Sequence, residues 1–328
     1  MSRGFGSRLR RRILPGVMQT RQGLEGLRAL PPGGVMSIGN FDGIHIGHRK
    51  LLEMADALRA ESASGRVAIV TFEPHPLTVL RPELAPPRLT PPHTKQALLE
   101  AAGVDDYVIL PPAPEVLNLT AEDFWAILRD EARPAHLIEG NTFNFGKGRG
   151  GNIDRLREWS RQGNIKLDIV APVDAVLRDL TIVPVSSSLI RWLVAHGRVR
   201  DAAICLGRHY TLHGDVVRGF GRGKQLGVPT ANLHCDDQLI PADGVYAGRC
   251  AIDGKTYAAA VSIGSLPTFE ERKFQVEAHL IGFDGDLYGR QIDVELLDWV
   301  REQWKFDGVE ALKRQIARDI EAVKGRAA

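Results

Sequence analysis

The sequence predicts two domains of different class: an α/β half built on a parallel sheet, then an antiparallel β-barrel followed by a final helix. Three observations predict it. Short unbroken apolar runs, such as Val35 to Ile38 and Arg66 to Phe72, alternate with stretches of helical spacing over the first half, as in βα units whose strands are buried on both faces. From Tyr210 to about Leu297 the pattern becomes short alternating runs cut by glycine-containing turns, with no long helix, as in a barrel or sandwich. Then Val309, Leu312, Ile316 and Ile320 recur at three- and four-residue steps, which is one face of a helix. The expected divisions are an arm over 1–17, an α/β domain over 18–185, a helical junction over 186–208 and the barrel over 209–328.

Composition narrows the function. A chain of 328 residues has room for two ordinary domains, and 44% hydrophobic with 25% charged residues is that of a soluble globular protein. A net charge of +2 gives no bulk electrostatic reason to bind nucleic acid or a membrane surface. No apolar run approaches a membrane span. Cys205, Cys235 and Cys250 are far apart and form no CxxC pair, which argues against a zinc knuckle or a disulfide framework and fits a reducing cytoplasm. The arm carries Arg3, Arg8, Arg10, Arg11 and Arg12 without the hydrophobic core of a signal peptide, since Ile13 and Leu14 run straight into Pro15. It is expected to be disordered, with Met18 as the start of foldable sequence.

In the first half, the strand Val35 to Ile38 leads into Gly39 to His48, reading GNFDGIHIGH, and then a helix from Arg49 to Ala60. A helix mouth favours an anion through its free N–H groups and its dipole. His45 and His48 there can donate to phosphate oxygens, and Gly47 lets a phosphate approach the backbone. The second strand ends in Glu73-Pro74-His75-Pro76, so His75 stands at a strand's carboxyl end, where α/β sheets bind ligands. Further elements are a helix from Thr94 to Ala102 closed by Gly103, a strand from Tyr107, a helix from Ala121 capped by Thr120, and a strand from Ala135 to Glu139.

Gly140 to Gly151 follows, GNTFNFGKGRGG, with a helix from Asn152 to Trp159 and a strand from Ile165 to Val170. Its Gly146, Gly148 and Gly151 spell GxGxxG, yet Asn141 to Phe145 separate them from the strand, which is the wrong context for a dinucleotide fingerprint. The alternatives are that Phe143 and Phe145 meet a planar ring while Lys147 and Arg149 face phosphates, or that both rings are core. Val185 to Arg191 then reads VSSSLIR. Serines at a helix N-cap leave donors for an anion, and Arg191 can neutralise a phosphate. Two short helices, Ile190 to Gly197 and Val199 to Leu206, complete the junction.

In the second half, Gly219 to Asn232 reads GFGRGKQLGVPTAN. Its glycines suit a phosphate cradle, and Thr230 and Asn232 offer the hard oxygens that suit Mg²⁺. Gly223-Lys224 is followed by Gln225, so this is no P-loop of an NTPase. Along Phe274 to Leu280 the strand alternation puts Phe274, Val276, Ala278 and Leu280 on one face and Gln275, Glu277 and His279 on the other. Glu277 is either a general base for a hydroxyl or an exposed strand carboxylate.

Both halves resemble one family. GNFDGxHxGH on a strand–turn–helix is similar to the signature of the adenylyl- and cytidylyltransferase superfamily, and within it to bacterial FAD synthetase. The loop with Gly140, Phe143, Phe145 and Gly146 resembles that family's flavin-binding segment, with Thr142 where the family usually has Asp or Asn. Ser186 to Arg191 resembles its Ser-Ser-Thr-x-x-Arg element, with Ser188 in place of Thr. GRGxxLGxPTAN, GVYA, SIGxxPTF and VExHL, in that order, closely resemble riboflavin kinase.

The resemblance to bifunctional riboflavin kinase/FAD synthetase spans about Gly34 to Ala322. It implies a Rossmann-like nucleotidyltransferase domain and a riboflavin kinase-like barrel. Riboflavin and ATP would give FMN in the barrel, and FMN and ATP would give FAD and pyrophosphate in the α/β domain. It further implies catalytic roles for His45, His48, Arg191 and Glu277, and ATP or phosphate binding by Gly39, Phe41, Asp42, Gly47, Ser187, Ser188, Gly221, Arg222, Gly223, Lys224 and Thr230. Flavin binding falls to His75, Thr142, Phe143 and Phe145, and Mg²⁺ to Thr230 and Asn232. ATP is a co-substrate, FMN and FAD are substrate and product, and the expected partners are those small molecules, with the protein a cytoplasmic monomer or transient oligomer. The departure at Thr142 motivates a second reading, a riboflavin kinase whose adenylyl half is weak or altered. A flavin-nucleotide sensor without turnover would have no need to keep both histidines, Arg191, Thr230, Asn232 and Glu277.

Overall fold

The computed structural model describes residues 17–219, 223, 226–266 and 273–327. The basic arm up to residue 16, and Gly221, Arg222 and Lys224 of the glycine-rich stretch, lie outside the described residues. Val17 is exposed and Met18 is the first buried side chain. The described chain falls into two compact units. One runs up to Gly39 and takes in Leu52–Pro74 and Gln96–Ile169. The other comprises Asn40–Leu51, His75–Lys95 and the chain from Val170 onward.

The first unit carries a six-stranded sheet in the order β1-β4-β3-β2-β5-β8. These strands are β1 (Gln19–Gln22), β2 (Val35–Ile38), β3 (Val67–Phe72), β4 (Asp106–Leu110), β5 (His136–Gly140) and β8 (Lys166–Val170). The pairs β1–β4, β4–β3, β3–β2 and β2–β5 are all parallel. Apart from the edges, these are the apolar runs of the sequence. Every residue of β2 is buried, as expected of a strand shielded on both faces. The edge strand β1 has no apolar signal at all. It is held instead by its ladder to β4 and by Arg21, whose Nε donates to the buried Asp106 carboxylate at 2.9 Å.

Between the strands run α1 (Gly23–Arg28), α2 (Ile46–Leu58), α3 (Leu77–Leu80), α4 (Pro92–Ala101), α5 (Pro114–Leu117), α6 (Ala121–Ala126) and α7 (Ile153–Gln162), with a two-strand ribbon of β6 (Asn144–Phe145) and β7 (Gly151–Asn152). Thr120 does cap α6, and Asp123 bonds back to it to complete a capping box. The chain continues from β2 into β3 on one side of the sheet, and the later β5 lies on β2's other side. Gly39 and Gly140 therefore leave neighbouring strands at the carboxyl edge where the strand order reverses, the ligand edge of such sheets.

The second unit is centred on a closed barrel, β11-β12-β15-β14-β13-β16. Before it come a ribbon of β9 (Asp174–Val176) and β10 (Ile182–Pro184), then α8 (Ser187–Ala195) and α9 (Val199–Leu206). The barrel strands are β11 (Tyr210–Val217), β12 (Ala231–His234), β13 (Gly244–Ile252), β14 (Lys255–Leu266), β15 (Lys273–Leu280) and β16 (Gln291–Arg301). Inward residues alternate as the sequence pattern requires: Val276, Ala278 and Leu280 are buried while Gln275, Glu277 and His279 are half-buried. One continuous core joins the barrel interior to Ile190 and Leu193 of α8 and to Ala202, Cys205 and Leu206 of α9.

The last helix, α10 (Val309–Ala327), sits against the barrel less by its apolar stripe than expected. Val309 is exposed, and Leu312, Ile316 and Ile320 are half-buried. Its deepest anchors are Val323 and the buried Asp319, which takes Arg301 of β16 at 2.7 Å.

Candidate active sites

α2 starts at Ile46, three residues earlier than helical spacing suggests, because His45 caps it. The His45 Nδ1 accepts the backbone N–H of His48 at 3.2 Å. With Nδ1 accepting, the ring's own proton is on Nε2, so a neutral His45 offers one N–H donor. The rings of His45 and His48 stack at 3.6 Å between centroids, 16° from parallel. A Cβ on Gly47 would stand 3.1 Å from the His45 ring, so that glycine makes room for the imidazole. The loop is conformationally demanding: Phe41 and Ile44 both have positive φ, 48° and 38°, and Gly43 has 86°. Phe41 is buried and leans on His48, 5.0 Å between centroids.

Burial, then the positive field of Arg208, lowers the His45 pKa from the ordinary 6.5 to about 4. Burial, then His45 and Lys95, puts His48 well below its ordinary value. Both rings are therefore neutral at pH 7. Unfolding restores the ordinary pKa, so the unfolded chain binds protons that the folded loop refuses. His45's contribution is complete above pH 6.5 and is lost as pH falls toward 4, amounting to roughly 3 kcal/mol over that window. A proton NMR titration is expected to place the His45 ring near pH 4, with the urea midpoint falling between pH 6.5 and 4. A ring titrating near 6.5 contradicts the buried, capped imidazole.

Around this loop the structure gathers cations that sequence spacing did not reveal. Arg208 donates to the Ile44 carbonyl at 3.3 Å, and burial beside Arg49 lowers its pKa to about 10. Arg49 donates to the Leu206 carbonyl, and the Lys95 Nζ to the Asn40 carbonyl at 3.3 Å. Arg191 belongs to the same group. Its Nη2 meets Asp42 at 2.5 Å and its Nε donates to the Pro87 carbonyl at 2.8 Å. These contacts use two of its five N–H donors. Asp42 also accepts the N–H groups of Leu89 and Thr90 at 3.0–3.1 Å.

On α8, Ser186 is the N-cap, accepting the Leu189 N–H at 3.2 Å. Ser187 donates to the Asp42 carbonyl at 2.8 Å, and Ser188 is exposed. Arg191 alone of these cations was marked by a sequence motif; for Arg49, Lys95 and Arg208 the only precursor was basic residue type.

His75 is half-buried, follows a cis Glu73–Pro74 bond, and accepts the Leu77 N–H on Nδ1 at 3.1 Å. In the first unit, Phe145 is core, against Phe124 and Trp159. Phe143 is half-buried and stacks on Phe145, 5.5 Å between centroids at 15°. The core alternative thus holds for Phe145. Thr142 is exposed, its carbonyl accepting from Asn144 at 2.7 Å. The apparent GxGxxG is a packing device: a Cβ on Gly146 would stand 2.6 Å from Ala121, and one on Gly151 would meet the Phe145 ring at 2.5 Å.

In the barrel, β12 and β15 pair so that Asn232 lies opposite Glu277, and Ser262 of β14 lies on Glu277's other side. Gln275, which strand alternation puts on the same face without assigning it a role, donates Nε2 to Glu277 at 2.6 Å and reaches the Asn232 Oδ1 at 3.5 Å. A Cβ at Gly219 would collide with the Asn232 amide. One at Gly223 would stand 3.1 Å from the Thr230 hydroxyl oxygen. Gly219 and Gly223 therefore lie directly on the two oxygen donors. No group of three or more His, Cys, Asp or Glu among the described residues is arranged to hold a metal.

The chain combines a two-histidine helix mouth among cations with a closed barrel that sets a carboxylate opposite Asn232, and the families it matches make it a transferase of two domains. The riboflavin kinase family pattern matches residues 206–326, and that of FAD synthetase residues 28–183. The chain is 34% identical over 313 residues to the bifunctional riboflavin kinase/FMN adenylyltransferase of Pseudomonas fluorescens, covering 95% of this chain and 98% of that one. It is 34% identical to the Escherichia coli K12 protein of the same description, covering 92% and 96%. A solved structure described as a macrolide-efflux protein from Streptococcus pneumoniae superimposes with a TM-score of 0.84 at 29% identity, over 94% of this chain and 99% of that one. No described helix here is long and apolar enough to cross a membrane. The chain belongs to the bifunctional riboflavin kinase/FMN adenylyltransferase family.

Proposed function

We propose that this chain makes FAD from riboflavin in two ATP-dependent steps, with 209–328 phosphorylating riboflavin, 18–185 adenylylating FMN and 186–208 joining them. What supports the reading is that one chain matches both family patterns, with Glu277 opposite Asn232 in the barrel and His45 stacked on His48 among cations.

In the barrel, Glu277 takes the proton of the ribityl 5′-hydroxyl as that oxygen attacks the γ-phosphorus of ATP. Gln275 holds the carboxylate by one oxygen. Thr230 and Asn232, neutral oxygen donors without a carboxylate cage, fit Mg²⁺, which is ordinarily held by few protein ligands plus substrate phosphates. When bound there the ion supplies charge neutralisation on the phosphates. Gly223, with Gly221, Arg222 and Lys224, cradles the nucleotide.

In the α/β site, a phosphate oxygen of FMN attacks the α-phosphorus of ATP. A new P–O bond forms and pyrophosphate leaves with the electron pair of the broken one. His45 and His48 donate N–H groups to the charge growing on those oxygens; they do not act as nucleophiles. Arg191, oriented by Asp42, faces the phosphates with Ser187 and Ser188, and Gly39, Phe41 and Gly47 shape the loop. Phe143 presents its ring to the flavin with Phe145 behind it, and Thr142 and His75 complete the flavin contacts. Free thiols at Cys205, Cys235 and Cys250 suit the cytoplasm.

A product time course tests this. Purified protein, riboflavin, ATP and Mg²⁺ are expected to yield FMN first and FAD after it. FMN without FAD, even when FMN and a reductant are supplied, supports the altered-adenylyl reading, and neither product overturns the proposal.

A further inference from the structure

We infer that Gln238, in the barrel loop between β12 and β13, is a positioning residue for adenylyl transfer, acting through the strap Pro87–Thr90 on Asp42. The inference rests on the two-step function proposed above.

The strap uses its backbone on both edges. Toward the nucleotide loop, the Leu89 and Thr90 N–H groups donate to the Asp42 carboxylate, and the Pro87 carbonyl accepts from Arg191. Toward the barrel, the Arg88 carbonyl accepts the Leu239 N–H at 2.8 Å, and the Leu89 carbonyl accepts Gln238 Nε2 at 3.4 Å. The Leu89 side chain, 3% exposed, is part of the barrel's own core. The strap is therefore a bridge. Asp42 is fixed by groups whose opposite edge is fixed by the barrel.

Gln238 is built for that task. It is 7% exposed, donates Nε2 to the Thr211 carbonyl at 2.6 Å and accepts the His213 N–H at 3.1 Å, both on β11. Next to it, the Leu239 carbonyl accepts the Tyr210 hydroxyl at 2.7 Å. A side chain locked to two points on one strand has no slack when it holds a third. Gln238 serves no step of phosphorylation. Its β11 partners are Thr211 and His213, whereas Asn232 pairs with Val217, four to six residues further along the strand, roughly 13–20 Å.

The test uses the full chain with Gln238→Leu, assayed separately for riboflavin to FMN and for FMN to FAD. If the strap sets the geometry of Asp42, and through it Arg191, the loss falls on the transition state. The kcat for FMN to FAD is then expected to drop about tenfold or more, with KM for ATP little changed and phosphorylation within about twofold of wild type. A parallel fall in both activities means that Gln238 merely supports the barrel, and FMN-to-FAD turnover within about twofold of wild type means that the strap transmits nothing; either result overturns the inference. Should Gln238→Leu not fold, Leu89→Ala asks the same question from the strap side, with Leu89→Met expected to restore adenylyl transfer. The same three outcomes decide it. A wild-type protein that makes no FAD from FMN defeats the functional reading and the inference together, whereas an unaffected Gln238→Leu defeats only the inference.

Discussion

Glu277→Gln is expected to abolish FMN formation while FMN-to-FAD conversion continues at the wild-type rate. The substitution keeps the volume of the side chain and an oxygen that can still accept from Gln275, which approaches Glu277 at 2.6 Å. The β12–β15 and β14–β15 ladders around position 277 are backbone bonds and survive it. What disappears is the basic lone pair that takes the hydroxyl proton. General-base removal costs about 10²–10⁴-fold in rate. The readout is FMN appearance from riboflavin, set against FAD appearance from supplied FMN. Equal loss of both activities sinks the assignment of one reaction to each half.

The reciprocal result is expected of His48→Ala: FAD formation falls about 10²–10³-fold, the usual consequence of losing a preorganised donor to a developing negative charge, and riboflavin phosphorylation is retained. His48 is the better probe of the pair. The cap of α2 uses the His45 ring and the backbone N–H of His48, so truncating the His48 side chain leaves that bond in place. Truncating His45 removes the cap as well, worth about 1 kcal/mol, and mixes a folding defect with a chemical one. FAD formation persisting at the wild-type rate in His48→Ala removes the imidazole pair from the mechanism.

The two proposed centres were unequally visible in the sequence. The histidine loop announced itself because its parts are contiguous: a buried strand, a turn rich in glycine and a helix within a couple of dozen residues. The Glu277 face was visible because strand alternation has a fixed period of two, which puts its neighbours Gln275 and His279 on the same face. Two things were not visible. The edge strand β1 is polar throughout and is held by a ladder and by the Arg21–Asp106 ion pair, neither of which leaves a hydrophobic pattern. The early start of α2 depends on an imidazole acting as a cap, a role usually filled by Ser, Thr, Asp or Asn. The half-buried α10 stripe shows the converse, since its apolar spacing overstated how much of that helix is covered.

The order of elements, the two fold classes and the residue types at each motif are properties of the sequence alone. They follow from local periodicity and turn chemistry, which act over a few residues. Only the tertiary structure decided that Arg49, Lys95, Arg191 and Arg208 surround one loop, and that Asp42 is held by a strap whose other edge belongs to the barrel core. The physical reason is that a buried carboxylate must find donors, and a bare backbone edge must find acceptors and donors, wherever the fold supplies them. Those partners lie from 47 to 164 residues away along the chain. No local rule reaches that far.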